Sequence, residues 1–328
     1  MCLISMTKAV AEIRCRSPND CHKKWYTFRC VRNKHTSQLN RPPPPSLPFA
    51  SRSLLMIYYI RVLLTFFRNA LIRELMFQGN FLIQVVTRTF WFFAQIALFE
   101  IIFRKVPSIN GWDRDQYFAF MATGMLINSI VESFFMPNCA NLSEQIRTGR
   151  LDFALIKPID SQFLVSLERI NLAMISQLLL ALALLIRSLY RIGEPISAWQ
   201  LSMYVTYVGI GVLFFYSLMI VTACSSIFLG RNQGLYDFWF YITVFARYPR
   251  SIYDGEDDSR WEGGEMLQFG FSYVVPILLV VTVPARIIID NLEMPHFAAV
   301  SAASAIVGLV FSRFVFHWSL NHYRSASS

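Results

Sequence analysis

Charge is scarce in this chain. Asp, Glu, Lys and Arg supply 16% of the 328 residues and hydrophobic side chains supply 55%, whereas a soluble domain carries about 25% charged residues. Lysine nearly disappears after residue 55, where only Lys105 and Lys157 remain, and neither follows a glycine. There is no G-x-x-x-x-G-K-[ST], so the chain has no P-loop for a nucleoside triphosphate. H-E-x-x-H, G-x-S-x-G and C-x-x-C are also missing. No metalloprotease, α/β-hydrolase or paired-cysteine chemistry can be built from these residues. A membrane-embedded lipid enzyme would need such a constellation at the interface, and none is visible.

The positive charge is unevenly spread. Net charge is +9, but residues 1–55 hold ten Lys and Arg against two acids, and the remaining residues hold twenty against nineteen. The basic balance therefore describes the N-terminal segment and gives no reason to expect a nucleic-acid partner for the body. This segment also contains the run Pro42 to Pro45 and four of the six cysteines, Cys2, Cys15, Cys21 and Cys30. Their spacing fits no usual zinc site, and no metal is expected. The segment reads as a disordered basic arm, or as an extension upstream of a true start at Met56. Cys139 and Cys224 fall in or near apolar runs and read as packing residues.

What the body does have is long apolar runs. Six pass the length test for a spanning helix: about 81–103, 116–136, 163–185, 203–229, 269–289 and 297–320. They are too continuous for barrel strands. The stretch 235–246 is too short to span and reads as interfacial or partly re-entrant. From Met56 to Asn80, the residues Arg61, Thr65, Arg68, Asn69 and Arg73 share one helical arc, the pattern of an amphipathic helix lying in the membrane surface against lipid phosphates. Gly79-Asn80 then predicts a bend into the first span. The expected fold class is an all-α membrane protein, a six-transmembrane-helix bundle over 56–328 with an N-terminal interface helix. With the N-terminus inside, inner segments carry eleven Lys and Arg and outer loops six. That bias favours cytoplasmic termini, and it assigns Arg247 to Tyr253 and the acidic 254–265 stretch to the inside.

Arg88 and Glu132 are the charges of interest within the predicted spans. Arg88 lies about two turns into the first span, where a lone charge costs several kcal/mol, so it needs a partner. Glu132 in the second span is the expected one, with Glu168 the second choice. The pair reads as a static bond between spans or as part of a gate. In the last span Ser301, Ala305, Gly308 and Ser312 form a small-residue face that permits close helix packing, in the bundle interior or at a subunit contact.

The segment from Asn141 to Gln162 is the most informative. Ser143 to Thr148 suits a helical extension, Gly149 a left-handed helix end, and Pro158 disfavours helix at Lys157. Asp160 or Ser161 can cap the following helix. The outcome is a compact elbow carrying Glu144, Arg147, Arg150, Asp152 and Lys157.

The run Ser143 to Asp152, followed by Leu155-Ile-Lys-Pro158, resembles the signature of integral-membrane permease subunits of ABC-type exporters of the second exporter type. Arg247 to Tyr253, Val275-Pro276 with Val283-Pro-Ala285, and the ending Tyr323 to Ser328 match further landmarks. The resemblance covers Met56 to Ser328. It implies a plasma-membrane permease without an ATPase site of its own, so ATP would be bound by a partner and no cofactor by this chain. Implied partners are a cytoplasmic ABC ATPase subunit, a second permease subunit (identical or related) and membrane lipid. It also implies that the elbow is a coupling helix, with Glu144, Arg147, Gly149, Asp152, Lys157 and Pro158 as its working positions. The competing class is a secondary transporter or channel without an ATPase; that class usually places acids near the midplane, and here they cluster at span ends.

Overall fold

The protein is described from a computed structural model, which covers residues 52–109, 111–229, 239, 241, 244, 246–250, 269–289 and 295–323. The chain divides into two compact units, Met1–Tyr59 and Ile60–Ser328. In the first unit the described residues are helical, and the Tyr58 and Tyr59 rings stand edge to face at 5.9 Å. The rest of the basic extension, the acidic 254–265 stretch and the ending from residue 324 lie outside the described residues.

Among the described residues, the second unit is all-α apart from one small hairpin. In chain order the helices are α1 (Arg52–Met76, which begins in the first unit), α2 (Gln78–Phe103), α3 (Arg114–Phe134), α4 (Met136–Arg147), α5 (Arg150–Leu155), α6 (Ser161–Leu167), α7 (Ala173–Ile192), α8 (Ala198–Leu229), α9 (Ile277–Ile289) and α10 (Pro295–His322). Strands β1 (Ser108–Ile109) and β2 (Trp112–Asp113) pair antiparallel between α2 and α3, turning on Gly111 at φ +76°. Among the described residues, five helices, α2, α3, α7, α8 and α10, are long and apolar enough to cross a membrane.

Helix α3 is the central element. Tyr117, Phe120, Ile127 and Val131 on it are buried, and its widest packing is against α7. The second extensive pairing is α8 with α10. There Ser301, Ala305 and Ser312 are buried, and Gly308 meets Ser217 of α8. The small-residue face of the last span therefore lies inside the bundle, where small side chains let two backbones approach.

The bundle has two distinguishable ends. At the hairpin end, Arg114 bonds Glu100 at 2.6 Å, and the Arg286 guanidinium sits 4.1 Å from the Trp112 ring centre. At the opposite end lie α4, α5 and α6. Three sequence expectations need correction against this frame.

The bend between the first two helices falls at Phe77 (φ −119°, ψ 50°), not at Gly79-Asn80, which sit in regular helix. The earlier turn lets α1 dock: Ala70 is buried with Ile170 and Leu172, and Arg73 donates from Nη2 to the Ile170 carbonyl at 2.7 Å.

The predicted third span is not one helix. Helix α6 stops at Leu167, residues 168–172 leave the helix, and α7 starts at Ala173. Open backbone among spans is tolerated only where protein satisfies its polar groups, and here it is satisfied closely. Asn138 accepts from the Arg169 N–H and donates to the Arg169 carbonyl, both at 2.7 Å. Ser133 Oγ donates to the Asn171 carbonyl at 3.0 Å, and the Asn171 N–H donates to the Ser133 carbonyl at 2.9 Å. Asn171 Oδ1 then receives the Ala173 N–H at 3.1 Å, so Asn171 starts the next helix as a cap does.

The third correction concerns the chain between α8 and α10. Trp239 donates from Nε1 to Glu132 at 3.2 Å, near the elbow end of α3. Further along, the Ala246 carbonyl approaches Gly124, Tyr117 OH donates to the Arg247 carbonyl at 3.5 Å, and Tyr248 meets Phe99 at 6.5 Å. The described residues of this stretch thus meet α3 near both of its ends, Trp239 at Glu132 and Arg247 at Tyr117, and most of 235–246 lies outside the described residues. Arg250 lies over Phe297, 4.4 Å from its ring centre, at the start of α10. Residues 250 and 297 therefore both lie at the hairpin end. The 269–289 stretch is no single helix: a π-helical turn, Gly270–Val274, is cut from the 13-residue α9 at Val275-Pro276. Pro276 has no N–H to continue a helix. Arg247 and Arg250 thereby move from the inner charge count to the opposite end, and the charge bias narrows.

Candidate functional site

The end away from the hairpin is built by the elbow. Helix α4 continues from α3 past Phe135, with Pro137 in its first turn where a missing N–H is harmless. It closes at Thr148, whose hydroxyl donates to the Glu144 carbonyl at 2.7 Å and accepts from Arg150 Nε at 3.0 Å. Gly149 then takes φ +68°, the left-handed geometry that the sequence assigns to it. Its freedom from a Cβ is what allows α5 to start immediately at Arg150. After α5 the chain turns on Pro158, where the Ile159 N–H donates to the Lys157 carbonyl at 2.8 Å, a three-residue turn that the fixed proline φ suits. Asp160 caps α6 by accepting the Phe163 N–H at 2.9 Å.

Six positions carry the elbow's expected work. Gly149 and Pro158 occupy its two corners; Asp152 is half-buried in the first turn of α5, and Lys157 is exposed. Glu144 lies on α4 within bonding range of Thr148 through its carbonyl; Arg147 is the last residue of α4, and its side chain lies outside the described residues.

Two neighbours were not singled out by sequence. Leu151 and Ala154 turn inward, leaving Phe153 and Ile156 71% and 78% exposed. Their signal was the i, i+3 spacing on a helix too short to show a period.

Behind the elbow is a polar lattice. Gln162 Nε2 donates to Tyr216 OH of α8 at 3.1 Å, and Ser166 shares a bond with the same hydroxyl at 2.9 Å. Arg313 of α10 donates from Nη1 to Asp160 Oδ1 at 2.9 Å and to Gln162 Oε1 at 3.0 Å, and from Nη2 to Asp160 Oδ2. This two-pronged bond holds the Asp160 carboxyl below its ordinary value of 3.8, with the Phe163 N–H acting in the same direction. Sequence reasoning missed Arg313, although the rule that gave Arg88 a partner applies equally to an arginine late in an apolar run.

Arg88 and Glu132 meet at 3.1 Å. Arg88 lies about 15 Å along α2. Its side chain is 44% exposed and that of Glu132 18% exposed. Glu132 also accepts from Trp239, so both of its oxygens are engaged. Among the described residues no ion pair joins Glu168 to Arg88. Nor does any group of three or more His, Cys, Asp and Glu among them form a metal cradle.

The family model described as "ABC-2 family transporter protein" matches residues 89–327. No curated protein and no solved structure matches the chain. The match takes in α3 to α10, the elbow included. With most of the sequence under that model and five helices fit to cross a membrane, this multi-pass chain belongs to the ABC-2 transporter family, as a permease.

Proposed function

We propose that the chain is the permease subunit of an ATP-driven exporter of the plasma membrane, with the elbow facing the cytoplasm and docking a separate ABC ATPase subunit. The observation that carries this reading is the elbow's form. A two-cornered turn, fixed by Gly149 and Pro158, presents exposed Phe153, Ile156 and Lys157 beyond the end of the bundle. Aromatic and aliphatic anchors ringed by charge are the usual composition of a protein contact. Glu144, Arg147, Asp152 and Lys157 supply that charge. ATP is bound by the partner, since this chain has no P-loop. Two permease subunits, identical or related, enclose the path, which cycles by alternating access biased by nucleotide at the partner. The basic stripe of α1, with Arg61 and Arg68 exposed, lies against inner-leaflet lipid.

The test is purification from native membranes in gentle detergent, with co-purifying chains identified and ATP hydrolysis measured. An ABC ATPase retained by the unaltered protein, and lost when Arg147→Glu and Asp152→Arg are combined, supports the reading. An intact, folded permease that retains no ATPase overturns it in favour of a secondary transporter or channel.

A further inference from the structure

The elbow has two arms. The entering arm α4 follows α3 with one residue between them, so those two helices share an axis connection. The returning arm α6 has no such connection. The break at 168–172 separates it from α7, and the break is itself bonded to α1 and to the α3–α4 junction through Arg73, Ser133 and Asn138. A displacement of α6 is therefore not delivered along the axis of the third span.

What α6 holds instead lies to its sides. Tyr216 of α8 bonds both Gln162 and Ser166. Arg313 of α10 grips the cap residue Asp160 with two nitrogens and reaches Gln162 with one of them. Arginine and carboxylate joined by parallel bonds fix orientation as well as distance. Arg313 lies 18 residues into a 28-residue helix, so a pull there acts on the whole of α10 through a continuous backbone. Farther out, α10 is packed on α8 at Gly308 and Ser217. Thus both lateral bonds lead into one helix pair.

We propose that Arg313 is a positioning residue of the transport cycle: it links the elbow to the last span, so movement imposed on the elbow is transmitted to α10 and α8 and not along the broken third span. This rests on the reading of the elbow as an ATPase dock. Arg313 does not touch substrate; it acts through Asp160 and Gln162.

The experiment uses the full chain in complex with its co-purified ATPase. Hydrogen exchange is followed in peptides of 295–322 and of 198–229, with and without ATP and vanadate. In the unaltered complex, nucleotide is expected to change exchange in both helices. With Arg313→Gln the ATPase still binds and hydrolyses ATP, but the nucleotide-dependent difference falls by about fivefold or more, the lower range of ordinary site-to-site coupling. Arg313→Lys, which keeps the charge, restores part of it, and Arg104→Gln at the hairpin end leaves it unchanged. Asp160→Asn keeps an oxygen to cap α6 and loses the charge. It repeats the Arg313→Gln result, and it carries the test if that variant folds poorly. A nucleotide response of normal size in both Arg313→Gln and Asp160→Asn overturns the inference and leaves the docking reading intact. Absence of any ATPase from the unaltered preparation overturns both.

Discussion

Gly308 and Ser217 are matched across the α8–α10 pair: a Cβ at position 308 would stand 2.5 Å from Ser217 Oγ and 3.3 Å from Ser217 Cβ. Ser217 cannot turn away freely, because its hydroxyl donates to the Phe214 carbonyl at 2.7 Å and its side chain is buried. Gly308→Ala should therefore destabilise the protein despite the better helix propensity of alanine. Forcing one extra carbon into a packed interior costs about 1–3 kcal/mol. Thermal unfolding in detergent should show a lower midpoint for Gly308→Ala and partial recovery when Ser217→Gly is added. Recovery absent from the double variant would mean that the two helices are not in contact there.

The Arg88 and Glu132 pair makes a second prediction. Breaking a fully buried pair costs about 3–5 kcal/mol, because one charge is left uncompensated. Here Arg88 is half-exposed, so each of Arg88→Gln and Glu132→Gln should cost less than that. The two changes should be non-additive, with a coupling of about 0.5–3 kcal/mol in a double-mutant cycle. Stability measured on all four proteins gives the coupling directly; additivity would reduce the contact to a coincidence of position. A gate would separate from a static bond in the same set. The static bond predicts that Arg88→Glu combined with Glu132→Arg restores stability and ATPase retention together.

Asn138 offers the sharpest test of the broken third span. Its amide makes both bonds to the Arg169 backbone and a third to the Phe134 carbonyl at 2.8 Å. Asn138→Ala leaves a backbone N–H and a carbonyl without a partner in a buried setting, at about 1–3 kcal/mol each. Asn138→Asp still accepts the N–H and loses the donated bonds, so it should fall between alanine and the unaltered protein. Hydrogen exchange should rise at 168–172 in the same order. Equal exchange in all three proteins would contradict the bonding.

Much of this architecture is legible in the sequence, and the failures have physical causes. Long apolar runs locate α2, α3, α7, α8 and α10 because lipid demands a continuous helix. The left-handed Gly149 follows from its place at a helix end, since few other residues adopt that geometry. Arg88 points to Glu132 because an intramembrane charge requires a counter-charge. Hydropathy misled where side chains, and not lipid, satisfy the backbone. The run 163–185 reads as one span despite Glu168, Arg169 and Asn171, yet Asn138, Ser133 and Arg73 hold it open at 168–172 from other helices. Trp239, Ala246 and Tyr248 likewise pack on protein, contacts to which hydropathy is blind. Phe153 and Ile156 escaped notice because α5, with Ile156 just past its end, is too short to leave a periodic trace.

The bond between Arg313 and Asp160 should also give the elbow a defined response to acid. Asp160 is held below its ordinary value of 3.8, chiefly by the Arg313 hydrogen bonds. A carboxyl depressed in the folded state binds its proton more readily when unfolded. Its stabilising contribution is therefore complete above 3.8 and is lost as pH falls through the lower folded value. Between pH 7 and 5 the stability difference between the unaltered protein and Asp160→Asn should stay constant, since the carboxyl is ionised in both states of the former. Below 3.8 that difference should shrink, because the protonated carboxyl and the amide then resemble each other. Other acids titrate equally in the two proteins, so the difference isolates this residue. Unfolding midpoints at pH 7, 5 and 3.5, taken for both proteins in one detergent, check it. A gap that instead opens between pH 7 and 5 would place the depressed group elsewhere and remove Asp160 as the anchor of Arg313.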